Sequence, residues 1–190
     1  FDDRIYAYSS DPLGLGMPYG YGDNAGFSAT AKINTDVSNS DVPLTIYPAA
    51  YTHLMIAEAA ELDWIDVDSG AFLRSGIIES FNQWGIDSAK ATTYADARLN
   101  NASVVGTDQV IGEEKWIALF PSGYDAWAEQ RRTGFPKLLP SPEPFNDGSI
   151  PERFPYPTEE NTINSTNWAI GVKGLMPATD SNSSKIWWNQ

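Results

Sequence analysis

The apolar positions of this chain change rhythm along its length. Through residues 1–45 they follow no helical period, and Pro12, Gly14, Gly16, Pro18, Gly20, Gly22 and Gly26 break the segment repeatedly. Such punctuation predicts loop with short extended pieces. From Tyr47 to about Arg132 the spacing becomes helical. A first helix opens at Pro48, which is tolerated in a first turn, and runs through Leu54, Met55, Glu58 and Leu62. A second starts after Asp68 as N-cap, sets Phe72, Ile77, Phe81 and Trp84 at helical spacing, and closes at Gly85. A third spans Ala89 to Leu99 and yields to Asn100 and Asn101.

The fourth helix, Asp108 to Phe120, carries Val110, Ile111, Trp116, Ile117 and Phe120 as an apolar face wide enough to demand neighbours on several sides. Ser122 and Asp125 resemble a capping box for the fifth, which buries Tyr124, Trp127 and Ala128 and stops at Gly134 and Pro136. Short links between such helices favour helical hairpins. Beyond Pro136 the prolines at 140, 142, 144, 151, 155 and 157 predict an extended arm. Its Phe154, Tyr156, Trp168, Trp187 and Trp188 imply that the arm packs onto the helices. The 190 residues therefore divide into a loop region 1–45, a helical core 46–132 and a wrapping arm 133–190 of one domain.

Composition narrows what such a fold does. A net charge of -13 disfavours nucleic-acid phosphates, whose binding draws on Lys and Arg, and an anionic lipid surface. It suits a neutral ligand, and seven Trp, nine Tyr and eight Phe exceed what a helical core of this size uses, leaving rings for contact platforms. Without Cys there is no disulfide, thiolate metal site or thiol nucleophile. No apolar run approaches the roughly 20 residues that span a bilayer. The opening Phe1-Asp2-Asp3-Arg4 has no signal-peptide character, which leaves a cytoplasmic protein or an incomplete or processed chain.

Candidate chemistry is thin. Glu113 and Glu114 are adjacent and so splay around their helix instead of facing each other as a glycosidase pair. His53, the single histidine, has no triad or zinc partners and reads as a satisfied surface residue. Asp63, Asp66 and Asp68 lack the Gly and terminal Glu of a calcium loop and read as helix caps. Asn101 and Asn164 head glycosylation sequons, which matter only in a eukaryotic secretory setting. Glu129 and Arg132 can pair at i,i+3, and Trp116 and Trp127 read as core. These residues give no catalytic group, no metal site and no cofactor site. The ligand-binding candidates are Tyr19, Tyr21 and Phe27, whose rings can stack on a sugar face, with Asn24 and Asp23 for its hydroxyls; the same rings can equally serve only to pin the loop to the helices.

The run from Glu113 to Phe120, followed by Tyr124-Asp125-Ala126-Trp127-Ala128-Glu129-Gln130-Arg131-Arg132-Thr133-Gly134-Phe135-Pro136, resembles the signature helices of the SusD/RagB family. The resemblance continues in Ala57-Glu58-Ala59-Ala60, Gly76-Ile77-Ile78-Glu79-Ser80, Gly16-Met17-Pro18-Tyr19-Gly20, Ile150 to Pro157 and Lys185-Ile186-Trp187-Trp188. Two places depart from it: Glu114 stands where the family commonly has Gln, and Ala49 and Tyr51 stand where it has Tyr-x-Glu.

The resemblance implies a mainly α fold of tetratricopeptide-like hairpins with long irregular loops and an extended C-terminal arm, of which this chain is the C-terminal part. It further implies a non-enzymatic outer-membrane lipoprotein at the cell surface, anchored through an N-terminal lipid that this chain lacks. Such a protein captures glycans for a SusC-like, TonB-dependent transporter. Peptide capture, as in RagB-type members, and a helical-repeat interaction scaffold are the alternatives.

Overall fold

The computed structural model describes residues 1–11, 13–17 and 26–189. Tertiary contacts divide the chain into two compact units, one of residues 1–17 and 26–136 and a second that includes everything from Lys137 onward. The first begins with a short helix α1 (Ile5–Tyr8), a 3-10 turn (Phe27–Ala29) and α2 (Thr35–Ser38). Then come α3 (Ala49–Glu61), α4 (Ser69–Gln83), α5 (Ser88–Val105), α6 (Thr107–Ala118) and α7 (Gly123–Thr133). The second unit contains α8 (Thr158–Ile163) and α9 (Ser165–Lys173). Among the described residues extended pairing is limited to the isolated antiparallel bridges Ser9–Ile33 and Met176–Lys185, so the fold is mainly α as expected.

Local chemistry accounts for most helix ends. The Asp68 carboxylate accepts the Ala71 N–H at 3.0 Å, and Asp87 accepts those of Ala89 and Lys90 at 2.9 and 3.2 Å. Gly85 and Gly134 follow α4 and α7 with φ of 65° and 74°, the left-handed region that other residues avoid. The Ser122–Asp125 pair departs from its expected role. The hydroxyl donates to the carboxylate at 2.5 Å and no side chain caps α7.

The third helix extends past the expected stop at Leu99 to Val105, so Asn100 and Asn101 are helical. Packing overrides their weak propensity, because Ala91, Ala95 and Ala102 continue one buried face to the end of the helix. The arm also departs from uniformly extended chain. Between Pro157 and Pro177 no proline interrupts the backbone, and α8 and α9 form there.

Within the first unit α3 packs on α4, α4 on α5, and α6 touches each of α3, α4, α5 and α7. Ala50, Leu54, Ala57, Leu73, Ile77, Phe81, Val110 and Ile111 form the buried centre. At Gly76 the α3–α4 contact leaves no room for a side chain. A β-carbon there would lie 2.6 Å from Leu54 Cγ and 3.1 Å from the Ala50 carbonyl oxygen. In the second unit Asp180 is a hub, accepting from Arg153 Nη1 at 2.6 Å, Trp168 Nε1 at 3.0 Å and the Tyr156 N–H at 3.1 Å.

Gly76→Ala is therefore expected to force α3 and α4 apart and cost about 1–3 kcal/mol. Urea titration should show a lower midpoint at an unchanged slope.

Candidate functional site

The centre of the first unit holds charge as well as apolar side chains. On α6 the deepest positions include Glu114 and Lys115, which are 0% and 1% exposed. Trp116, expected in the core, is only half-buried, and so is Trp127. Two neighbouring buried ions cannot persist without partners. Each has several.

Glu114 accepts from Arg4 Nη2 at 2.8 Å, Arg98 Nε at 2.7 Å and the Tyr94 hydroxyl at 2.9 Å. Arg98 also reaches Glu113 at 2.6 Å, so one guanidinium spans both carboxylates. Arg4 is 1% exposed and reaches Asp2 at 2.8 Å and the Ser80 hydroxyl at 2.9 Å. Its guanidinium carbon stands 4.9 and 5.1 Å from the ring centroids of Phe81 and Tyr94. Burial alone would lower the pKa of this guanidinium, but the charges of Glu114 and Asp2 hold it raised. Burial raises the Tyr94 phenol, and the Glu114 carboxylate adds to that, so Tyr94 serves only as a donor.

Lys115 faces the other way, to Glu58 at 2.7 Å and Glu129 at 2.9 Å, beneath the Tyr51 ring. Arg132 closes this set at 2.7 Å from Glu58 and 2.8 Å from Glu129, so the i,i+3 pair expected on α7 is one edge of a larger network. The Tyr51 hydroxyl donates to Glu129 as well. Burial would raise the Glu129 carboxyl, but hydrogen bonds from Tyr51, Arg132 and Lys115 keep it below its ordinary 4.5. These carboxylates neutralise cations and tie α3, α5, α6 and α7 together.

Of the four candidate ligand residues, Tyr19, Tyr21 and Asn24 lie outside the described residues, as does Asp23. Phe27 starts the 3-10 turn and is half exposed, with the Lys32 ammonium 4.0 Å from its ring centroid. Lys32 Nζ also donates to the carbonyl oxygens of Phe27 and of Thr30, the latter at 2.6 Å. The backbone on either side of this turn closes on itself. Ser10 N–H donates to Lys32 O at 2.9 Å, Asn34 N–H to Tyr8 O at 2.9 Å and Ala31 N–H to Leu15 O at 3.0 Å. Phe27 is thus presented on a loop whose two ends are hydrogen-bonded together.

An open groove of about 540 Å³ runs between α1, residues 31–33 and the α6–α7 corner. Its walls are Ile5, Tyr8, Ile33, Trp116, Ile117 and Phe120, with Lys32 at the edge. Tyr8, Trp84 and Phe120 form an aromatic cluster, with centroid distances of 4.2 Å for Tyr8–Phe120 and 5.1 Å for Tyr8–Trp84. The periodicity of α6 marks Trp116, Ile117 and Phe120 as one apolar face, but not that the face borders a groove instead of the core. His53 also differs from its expected satisfied state: its ring stacks on Phe72 at 5.9 Å, and its buried Nδ1 has no hydrogen-bond partner among the described residues. Among those residues no cluster of three or more His, Asp or Glu could hold a metal ion, and no helix is long and apolar enough to cross a membrane.

Removing Lys115 should be severe. Lys115→Met leaves Arg132 as the cation shared by Glu58 and Glu129, with the Tyr51 hydroxyl still on Glu129, and is expected to cost about 3–5 kcal/mol by chemical denaturation. Because the folded-state pKa of Glu129 is depressed, its stabilisation is complete above the unfolded value near 4.5 and is lost as pH falls through the lower folded value. Glu129→Gln should flatten that acid limb when denaturation midpoints are followed against pH.

The chain matches, over residues 2–157, the SusD-like family described as starch-binding and associating with the outer membrane. Solved structures share the fold. A chitin-binding protein is 25% identical, with a TM-score of 0.77 over 100% of this chain and 47% of its own. A SusD homolog from Bacteroides vulgatus is 24% identical, with a TM-score of 0.81 over 98% of this chain and 46% of its own. A SusD-like protein from Bacteroides thetaiotaomicron is 22% identical, with a TM-score of 0.77 over 99% and 47%. The chain therefore spans about half the length of these structural relatives. None of the curated proteins matches it. With a helical fold shared along nearly all of its length and the family pattern running from Asp2 to Pro157, the chain belongs to this SusD-like family.

Proposed function

We propose that this chain is the C-terminal part of a surface lipoprotein that captures a glycan and passes it to a SusC-like, TonB-dependent transporter. The observation that carries this reading is the family match over residues 2–157, since that family is described as starch-binding. The chitin-binding relative, alike along the full chain, favours a polysaccharide of neutral or weakly charged units. Physical features agree in kind. An acidic chain does not attract polyanions. The exposed ring of Phe27, on a loop closed at its base, suits the apolar face of a pyranose, and Tyr19, Tyr21 and Asn24 would extend the contact.

The state of four carboxylates supports binding without turnover. Glu58, Glu113, Glu114 and Glu129 are each engaged by Lys115, Arg98, Arg4 or Arg132. Affinity would come from shape, stacking and hydrogen bonds over a preformed surface. Peptide capture is the second reading, and the groove favours it: walls of Ile33, Trp116, Ile117 and Phe120 suit an apolar side chain better than a hydroxyl-rich sugar.

The test is isothermal titration of the full-length protein against maltooligosaccharides, chitooligosaccharides and mixed peptides. A neutral oligosaccharide is expected to bind, and Phe27→Ala to weaken it roughly tenfold, the worth of one stacked ring. Binding of peptides alone would replace the glycan reading by the second one. Release of shortened oligosaccharides would overturn both.

A further inference from the structure

The described part of residues 1–47 contains a single buried residue, and it is an arginine. Arg4 is 1% exposed, whereas every other described position in that span is half-buried or exposed. The described residues of this segment bury no apolar side chain. Ile5 and Tyr8 lean on the α6–α7 corner, Leu13 and Leu15 are 79% and 74% exposed, and Leu44 and Ile46 are 84% and 88% exposed. What enters the helical core from this segment is the Arg4 guanidinium. It lies among Glu114 on α6, Ser80 and Phe81 on α4 and Tyr94 on α5.

Glu114 is not held by Arg4 alone, because Arg98, shared with Glu113, also pairs with it at 2.7 Å and Tyr94 donates to it at 2.9 Å. Arg4 adds attachment. Its backbone leads directly into α1, and α1 ends at Ser9, where the bridge to Ile33 begins. The hydrogen bonds from Ser10, Ala31 and Asn34 then tie residues 8–15 to residues 31–34, close in sequence to Phe27. Asp2 fixes the guanidinium from the same strand of chain through Nε at 2.9 Å and Nη2 at 2.8 Å, which leaves Nη1 for Ser80 and the second Nη2 contact for Glu114. A planar fork held on both edges has little orientational freedom, unlike an ammonium on a flexible stem.

We propose that Arg4 is a positioning residue for ligand capture: its guanidinium, gripped by Glu114, Asp2 and Ser80, pins the hydrogen-bonded base formed by residues 8–15 and 31–34 to the helical core and so sets where the neighbouring Phe27 is presented. The pin itself stands on geometry alone. Its consequence for affinity rests on the glycan-capture reading above.

Hydrogen exchange on the full-length protein separates the two. The double variant Arg4→Met/Glu114→Gln removes the pair without leaving a buried carboxylate short of a partner, so the helices should still fold. Exchange at the amides of Ser10, Ala31 and Asn34 is expected to quicken roughly tenfold or more, as a low-stability unit loses its attachment, while protection in α4 and α6 is retained. Two controls bracket this. Gly76→Ala lowers global stability and should leave those three amides unchanged. Lys90→Met removes the exposed Lys90–Asp3 pair and should also leave them unchanged.

Unchanged exchange at the three amides in the double variant, or a rise equal to that in α4 and α6, overturns the pin. Titration with maltooligosaccharides and chitooligosaccharides completes the test. A roughly tenfold weaker complex in the double variant supports the positioning role. Quickened exchange with undiminished affinity overturns that role and, by taking the loop out of the binding surface, counts against the glycan site around Phe27 as well.

Discussion

Charge buried inside α6 is the constraint around which the first unit is organised. Two adjacent residues of opposite sign, Glu114 and Lys115, point to different sides of one helix, and neither is accessible to water. A buried ion in a medium of low polarisability is tolerated only when partners replace its hydration, and the partners come from different elements. Glu114 draws Arg4, Arg98 and Tyr94; Lys115 draws Glu58 and Glu129, which Arg132 joins. Helices α3, α5 and α7 are thereby fixed against α6 by directional bonds, and the apolar contacts around Leu54, Ile77 and Phe81 fill the space between. Where the family commonly places Gln, Glu114 turns one position into a site that two guanidiniums can share.

This arrangement explains why the large aromatics of α6 and α7 are displaced from the centre. With the inward positions of α6 taken by Val110, Ile111, Glu114, Lys115 and Ala118, the indole of Trp116 is left to the flank beside Ile117. There it meets α1 and the strand-like piece at Ile33 and forms the wall of a groove. Fold and candidate binding surface are therefore not separate designs: the ion pairs that stabilise the helices also decide which apolar side chains remain at the surface.

Resemblance to proteins roughly twice as long gives the same features a second meaning. Phe27, the groove and Arg4 all lie in the first unit. The carbohydrate reading takes its direction from the family and its plausibility from an acidic, aromatic-rich chain. A ligand held by stacking needs rings kept in place, and a segment whose described residues bury no apolar side chain can be kept in place by one deeply seated arginine.

Much of this was legible along the chain. Helical spacing located the five long helices, Asp68, Gly85 and Gly134 marked ends that the structure reproduces, and the order of motifs pointed to the family. These are local properties, set by side chains three or four residues apart and by backbone angles that only certain residues adopt. Other outcomes depended on neighbours distant in sequence. Asn100 and Asn101 stay helical because Ala102 is packed from outside, and α8 and α9 form in a proline-free window of an arm that reads as extended. That Glu114 is buried while Trp116 is not could not be read from either residue, since burial of a charge depends on whether partners 16 and 110 positions away arrive beside it. The sequence by itself determined which segments are helices and which faces are apolar; the tertiary structure alone decided which polar groups go inside, because only the assembled fold supplies the opposite charges that make their burial tolerable.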